Sequence, residues 1–192
     1  MAKAFSDPNR RAPSPLLIGL AAIAIAGAAA AAVAAAVVYA GVYNIGADVR
    51  HTKVLYWIIT QLRDRSIAVR AEGLRPPADL MSQARITAGA GLYASNCTGC
   101  HLAPDMDGTA ISQGLYPTPP QFAGKLDHSA KQEFWMIKHG VKLTAMPAWG
   151  RTHTDDQMWD MVAFVRTLPS LSPDQYQAIV KAAPKDPTAP TP

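Results

Sequence analysis

Cys97-Thr98-Gly99-Cys100-His101 is the stretch of this chain whose residue types and spacing could do chemistry. Two thiols three residues apart, with an imidazole directly after the second, form the attachment signature of a c-type haem. The spacing has a chemical reason. The cysteines add across the two vinyl groups of a porphyrin, and the adjacent histidine is carried under the ring to ligate the iron. The other readings of such a pair are a thioredoxin-like redox couple, half of a zinc site, or a disulfide. Zinc would need two more ligands at matching spacing, and the 192 residues hold only these two cysteines. The redox motif belongs after a strand in a βαβ pattern, which this sequence lacks. One covalently held haem c is therefore expected.

Charge points away from nucleic acid. The net +4 is not spread along the chain. Residues 1–73 hold eight Lys/Arg against four Asp/Glu, whereas residues 74–192 hold ten of each. The excess flanks an apolar stretch, where basic side chains meet lipid headgroups.

The elements that must position the motif read as all-α. Residues 1–15 are polar and basic, with Lys3, Arg10 and Arg11, and are assigned to the cytoplasm. Residues 16–43 carry no charge over 28 positions, enough to cross a bilayer at about 20 residues per span. Two readings stand for that run: a retained signal anchor, favoured by its length, and a signal cleaved near Ala36–Gly41. Residues 44–77 comprise an amphipathic helix from His51 to Arg70 and a linker broken by Gly73, Pro76 and Pro77. That helix places Leu55, Ile58, Ile59, Leu62 and Val69 on one face, to lie on a membrane, against a partner, or against the haem domain. The haem domain is expected over residues 78–182. Its helices run from Ser82 to Asn96 into the cysteines, from about Ala130 to His139, and from Asp155 to Leu168. Ser129/Gln132 and Thr154/Gln157 stand at capping-box spacing, with Gly140 and Pro169 as stops. A short helix from Pro173 to about Lys181 ends the domain, and residues 183–192, with four prolines, are expected to be disordered.

Over residues 82–170 the chain resembles the class I mono-haem cytochromes c. In that family a glycine–aromatic helix ahead of CxxCH crosses an aromatic C-terminal helix, as Gly89, Tyr93 and Phe164 would do here. A Met-Pro motif supplies the second axial ligand, and Ala145-Met146-Pro147-Ala148-Trp149-Gly150 matches it 45 residues after His101. The resemblance thus implies His101 and Met146 as iron ligands. His139 is the strongest rival for the second position, and Met136, within an apolar helical run, is read as structural. Gly114–Phe122 resembles the loop whose proline carbonyl receives the proximal histidine's N–H, and Pro120 aligns best with it. Trp149, Tyr116 and Trp135 are candidate pocket aromatics, with ordinary core as the alternative. Lys142 and Arg151 are candidates for the haem propionates, with a solvated surface as theirs.

The implied function is one-electron transfer without catalysis, since iron saturated by sulfur and nitrogen leaves no site for substrate. The expected setting is the bacterial inner membrane, single-pass, with the haem domain in the periplasm. A quinol-oxidising complex or dehydrogenase would act as donor, and an oxidase or reductase as acceptor. Two alternatives stand beside it: a fixed haem c subunit of a respiratory oxidase or dehydrogenase complex, and a haem enzyme or gas sensor with a labile sixth ligand.

Overall fold

The computed structural model describes residues 14–122 and 126–186, and their regular structure is all helical. The expectations for residues 1–13 and 187–192 lie outside these. The chain divides into two units, residues 1–46 and 47–192.

The first unit holds α1, Pro15–Tyr39. Ser14 caps it by accepting the N–H of Leu17, and Pro15 takes the first position, where no N–H is needed. Its 25 residues rise about 37 Å at 1.5 Å each, enough for a hydrocarbon layer of about 30 Å. None of its side chains is buried by the chain. It is thus a candidate membrane span, and a signal sequence would meet the same test.

The second unit is built on the crossing of α3, Gln83–Asn96, with α7, Asp155–Thr167. Gly89 makes the crossing possible. A Cβ there would collide with the carbonyl of Asp160 and lie 2.9 Å from Cβ of Phe164. The absent methyl lets the two backbones meet, which offsets the usual cost of glycine in a helix. Tyr93 and Phe164 are fully buried beside the crossing, their ring centroids 5.4 Å apart. Arg85 closes its rim with ion pairs to Asp160 at 2.7 Å and Asp79 at 3.1 Å. Burial raises the Asp160 carboxyl above its ordinary range, and Arg85 pulls it back.

Two shorter helices complete the frame. α6, Ala130–His139, packs on α7 through Phe134, whose ring stacks on Trp159 at 4.1 Å. α8, Pro173–Ala182, packs on α3 and buries Tyr176. Capping boxes start both α6 and α7. The Ser129 N–H donates to Oε1 of Gln132 at 2.9 Å, and the Thr154 N–H to Oε1 of Gln157 at 2.8 Å. Two single turns, α4 (Thr98–His101) and α5 (Ala110–Gly114), carry the chain through and beyond the cysteines.

The expectation for residues 183–186 needs correction, and the one for the helix over 51–70 is narrowed. α2, Lys53–Ala71, packs on α6 with Ile67 and Ala71 buried, whereas Ile58, Leu62 and Val69 of the expected apolar face are exposed. Leu55 and Ile59 of that face are half-buried, so the packed side overlaps the apolar stripe only along one edge. Ala183–Asp186, assigned to a disordered tail, pack on α3 instead. The Pro184 carbonyl sits where a Gly91 Cβ would project, and the carboxylate of Asp186 accepts from Nδ2 of Asn96 at 2.6 Å. A residue at position 91 without a side chain gives that segment its seat.

Candidate haem-binding site

The cysteines fall where α3 hands over to α4. Cys97 ends the long helix, its N–H still bonded to the Tyr93 carbonyl at 2.9 Å, and also begins the single turn that carries Cys100 and His101. That turn puts the two thiols and the imidazole on one short rigid piece. Leu102 then reverses the chain with φ of 60°, a left-handed conformation that costs a non-glycine residue about 1 kcal/mol or more. The Tyr93 hydroxyl holds it there, donating to the Leu102 carbonyl at 2.7 Å. Burial pushes the Tyr93 hydroxyl far above its ordinary titration range, so it remains a donor.

His101 is oriented from behind. Its Nδ1 lies 2.8 Å from the Pro120 carbonyl. A carbonyl can only accept, so Nδ1 carries the proton and Nε2 keeps its lone pair, the form a metal ligand requires. Burial lowers the basicity of this imidazole, with the Pro120 hydrogen bond working in the opposite direction. The Phe122 ring stacks on it at 4.8 Å. Burial, with Cys100 nearby, pushes the Cys97 thiol up to about 12. A thiol so held stays protonated near neutrality, unlike the activated thiolate of a redox pair.

These groups line a cavity of about 410 Å³, within the size range of cofactor pockets. Cys97, Cys100, His101, Pro120, Met146 and Trp149 all border it. Met146 sits on a loop folded against the end of α6. Gly140 there has φ of +66°, and a Cβ on it would stand 2.7 Å from the Met146 carbonyl and 2.8 Å from the carbonyl carbon of Pro147. Thr144 stiffens the loop, donating to the Val141 carbonyl at 2.7 Å and accepting the N–H of Met146 at 3.1 Å. The donor set fits a haem: two thiols, an imidazole with a free Nε2 and a thioether share one largely apolar cavity.

Other expected site residues lie elsewhere. Tyr116 borders a smaller neighbouring cleft and not the cavity, and its hydroxyl accepts the His51 N–H at 3.1 Å. Trp135 packs beside His139, 4.8 Å away, and neither residue borders the cavity. Lys142 reaches only the smaller cleft, and Arg151 reaches neither. Conversely, Met136 lines the cavity although the sequence suggested a purely structural part. Tyr56 and Arg63 of α2 line it too. No local motif marks those two. Their only signal is a shared helical face, seven residues apart. Glu133 also borders the cavity and pairs with Arg166 at 3.0 Å. His153 is buried 3.5 Å from Asp186.

Residues 84–165 match the family model described as "Cytochrome C oxidase, cbb3-type, subunit III", so the chain carries a domain of the c-type cytochrome family. The match runs from the first turn of α3 to the last of α7, which takes in the CxxCH run and the Met-Pro turn and leaves out α1, α2 and α8. No curated protein matches the chain. The domain implies haem c as cofactor and redox proteins as partners.

Proposed function

We propose that this chain is a membrane-tethered one-electron carrier holding a single, covalently attached haem c. The observation that carries the reading is the His101–Pro120 hydrogen bond, which leaves Nε2 free beside the cavity that both cysteines and Met146 border. When bound, the haem supplies a reversible ferrous–ferric couple. Cys97 and Cys100 would hold it covalently and His101 would give a nitrogen to its iron, while the Pro120 carbonyl fixes the tautomer and plane of that imidazole. Met146 would give the iron a thioether sulfur. A soft thioether favours ferrous iron and so raises the potential, and two protein ligands leave no position for substrate. Phe122, Leu126, Ile137 and Val165 keep water from the cavity walls. α1 serves as the anchor, with the haem domain on the periplasmic face of a bacterial inner membrane. Electrons arrive from a quinol-oxidising complex or dehydrogenase and leave to an oxidase or reductase. Tethering raises the local concentration at such membrane partners.

The test is a reduced-minus-oxidised spectrum of the purified protein, followed by extraction with acidified acetone. Retained pigment with a low-spin spectrum supports the reading, and a colourless chain ends it. Because Met136 also borders the cavity, the distal ligand is tested by comparing two variants. Met146→Leu should lower the midpoint potential and let the reduced protein bind CO, while Met136→Leu should do neither. The reverse pattern would assign the sulfur to Met136.

One observation favours a second reading, a fixed subunit of a larger oxidoreductase. Val54, Ile58, Leu62 and Val69 of α2 remain exposed although their side chains are apolar. Mild detergent extraction followed by sizing separates the two: a stable stoichiometric partner indicates the subunit, and a monomer the free carrier.

A further inference from the structure

We infer that α2 completes the haem pocket and that Arg63, with Tyr56 beside it, holds a haem propionate there. The inference rests on the proposed haem and adds a contact supplied from outside the matched cytochrome segment. A porphyrin carries its vinyl groups and its propionates on opposite edges. Once Cys97 and Cys100 fix the vinyl edge, the propionates must be met by whatever borders the cavity away from α3 and α4. Two carboxylates at the edge of an apolar cavity need donors, and an arginine fork is the best match to one of them. Among the described residues bordering the cavity, Arg63 is the one Lys or Arg. It also borders the adjoining smaller cleft, as Tyr56 and Thr144 do, which places it where the two spaces meet.

The side chain is prepared for such a contact. Its Nε is engaged by Asp64 at 2.7 Å, which sets the plane of the guanidinium, and no described residue pairs with its two terminal nitrogens. About a third of the side chain is exposed, as expected at the partly solvated rim of a haem. Ile67 and Ala71, four and eight residues further on, are buried where α2 meets α6, so the helix behind Arg63 is fixed in place. The other charged groups at the cavity do not compete for the same part. Glu133 already pairs with Arg166, Asp127 is of the wrong sign, and His128 is an imidazole without the planar fork of donors a guanidinium offers. Lys142 faces the smaller cleft alone.

The test uses the haem-loaded full chain and reads the midpoint potential against pH from acidic to neutral. A propionate paired with Arg63 stays ionised throughout, so the wild-type potential should be nearly flat. Arg63→Gln and Arg63→Met remove the charge, and Met keeps the long apolar stem. In both, the propionate should take up a proton within the range, and the potential should fall as pH rises. Arg63→Lys should restore most of the flat profile, and Arg65→Gln, on the exposed side of α2, should change nothing. Charge-removing variants with wild-type haem content and a wild-type profile would overturn the inference. If neither accumulates holoprotein, Arg63→Lys decides: normal holoprotein supports a required charge, and its loss as well means that packing alone is at stake. A wild-type chain without covalent haem would instead overturn the proposed function, so the two failures are distinguishable.

Discussion

At the scale of single residues, the site depends on a few backbone conformations held by specific contacts. Leu102 bends the chain after His101 at φ of 60°, and the Tyr93 hydroxyl is what fixes it. Tyr93→Phe should cost about 1 kcal/mol, seen as a lower denaturation midpoint, with the aromatic packing against Phe164 retained. Glu133 offers a pH-dependent test. Burial is the largest influence on its carboxyl and raises it above the ordinary 4.5, with Arg166 opposing. The folded state therefore keeps that proton to higher pH than the unfolded chain, and its contribution to stability declines as pH climbs from about 4.5 through the raised value. Glu133→Gln should remove that decline and, by leaving Arg166 without its carboxylate, cost about 1–3 kcal/mol near neutrality. Denaturation at several pH values measures both effects.

At the scale of elements, what was legible in the sequence followed from local chemistry. α6 occupies its expected residues because Ser129, Gln132 and Gly140 specify both ends by their own hydrogen bonds and backbone preferences. Gly89 announced the crossing of α3 and α7, since a glycine inside a helix usually marks the approach of another backbone. The orientation of α2 was not legible. Periodicity weighs apolar bulk, and the bulk lies with Ile58, Leu62 and Val69, whereas contact with α6 needs only Ile67 and the small Ala71. For the same reason Arg63 and Tyr56 were invisible as cavity residues. Tyr116 borders the smaller cleft, where its hydroxyl accepts the His51 N–H, a contact between residues 65 apart that no local pattern marks. Gly140 is the most sensitive junction between elements. Gly140→Ala should strain a left-handed position and push on the Met146 loop, costing about 1–3 kcal/mol or more. In the haem-loaded protein the expected signature is a weakened sixth ligand, read as partial high-spin character.

At the scale of the whole molecule, the cavity is larger than the matched cytochrome segment, because α2 supplies part of its wall. Removing residues 1–44 and exporting the rest behind a separate signal should therefore leave a soluble, haem-loaded protein. Removing residues 1–77 takes the α2 wall away and should lower haem content and stability together. Equal pigment per polypeptide in the two truncations would show that α2 is dispensable.

The bare strip on α2 has a practical consequence for the shorter of those deletions. Val54, Ile58 and Leu62 lie one turn apart, and their exposures of 69%, 48% and 70% describe a greasy ridge that survives the loss of the anchor. The freed domain should be well behaved when dilute and self-adhesive when crowded. Light scattering over a concentration series should see that stickiness, and Leu62→Lys should abolish it without altering the pigment.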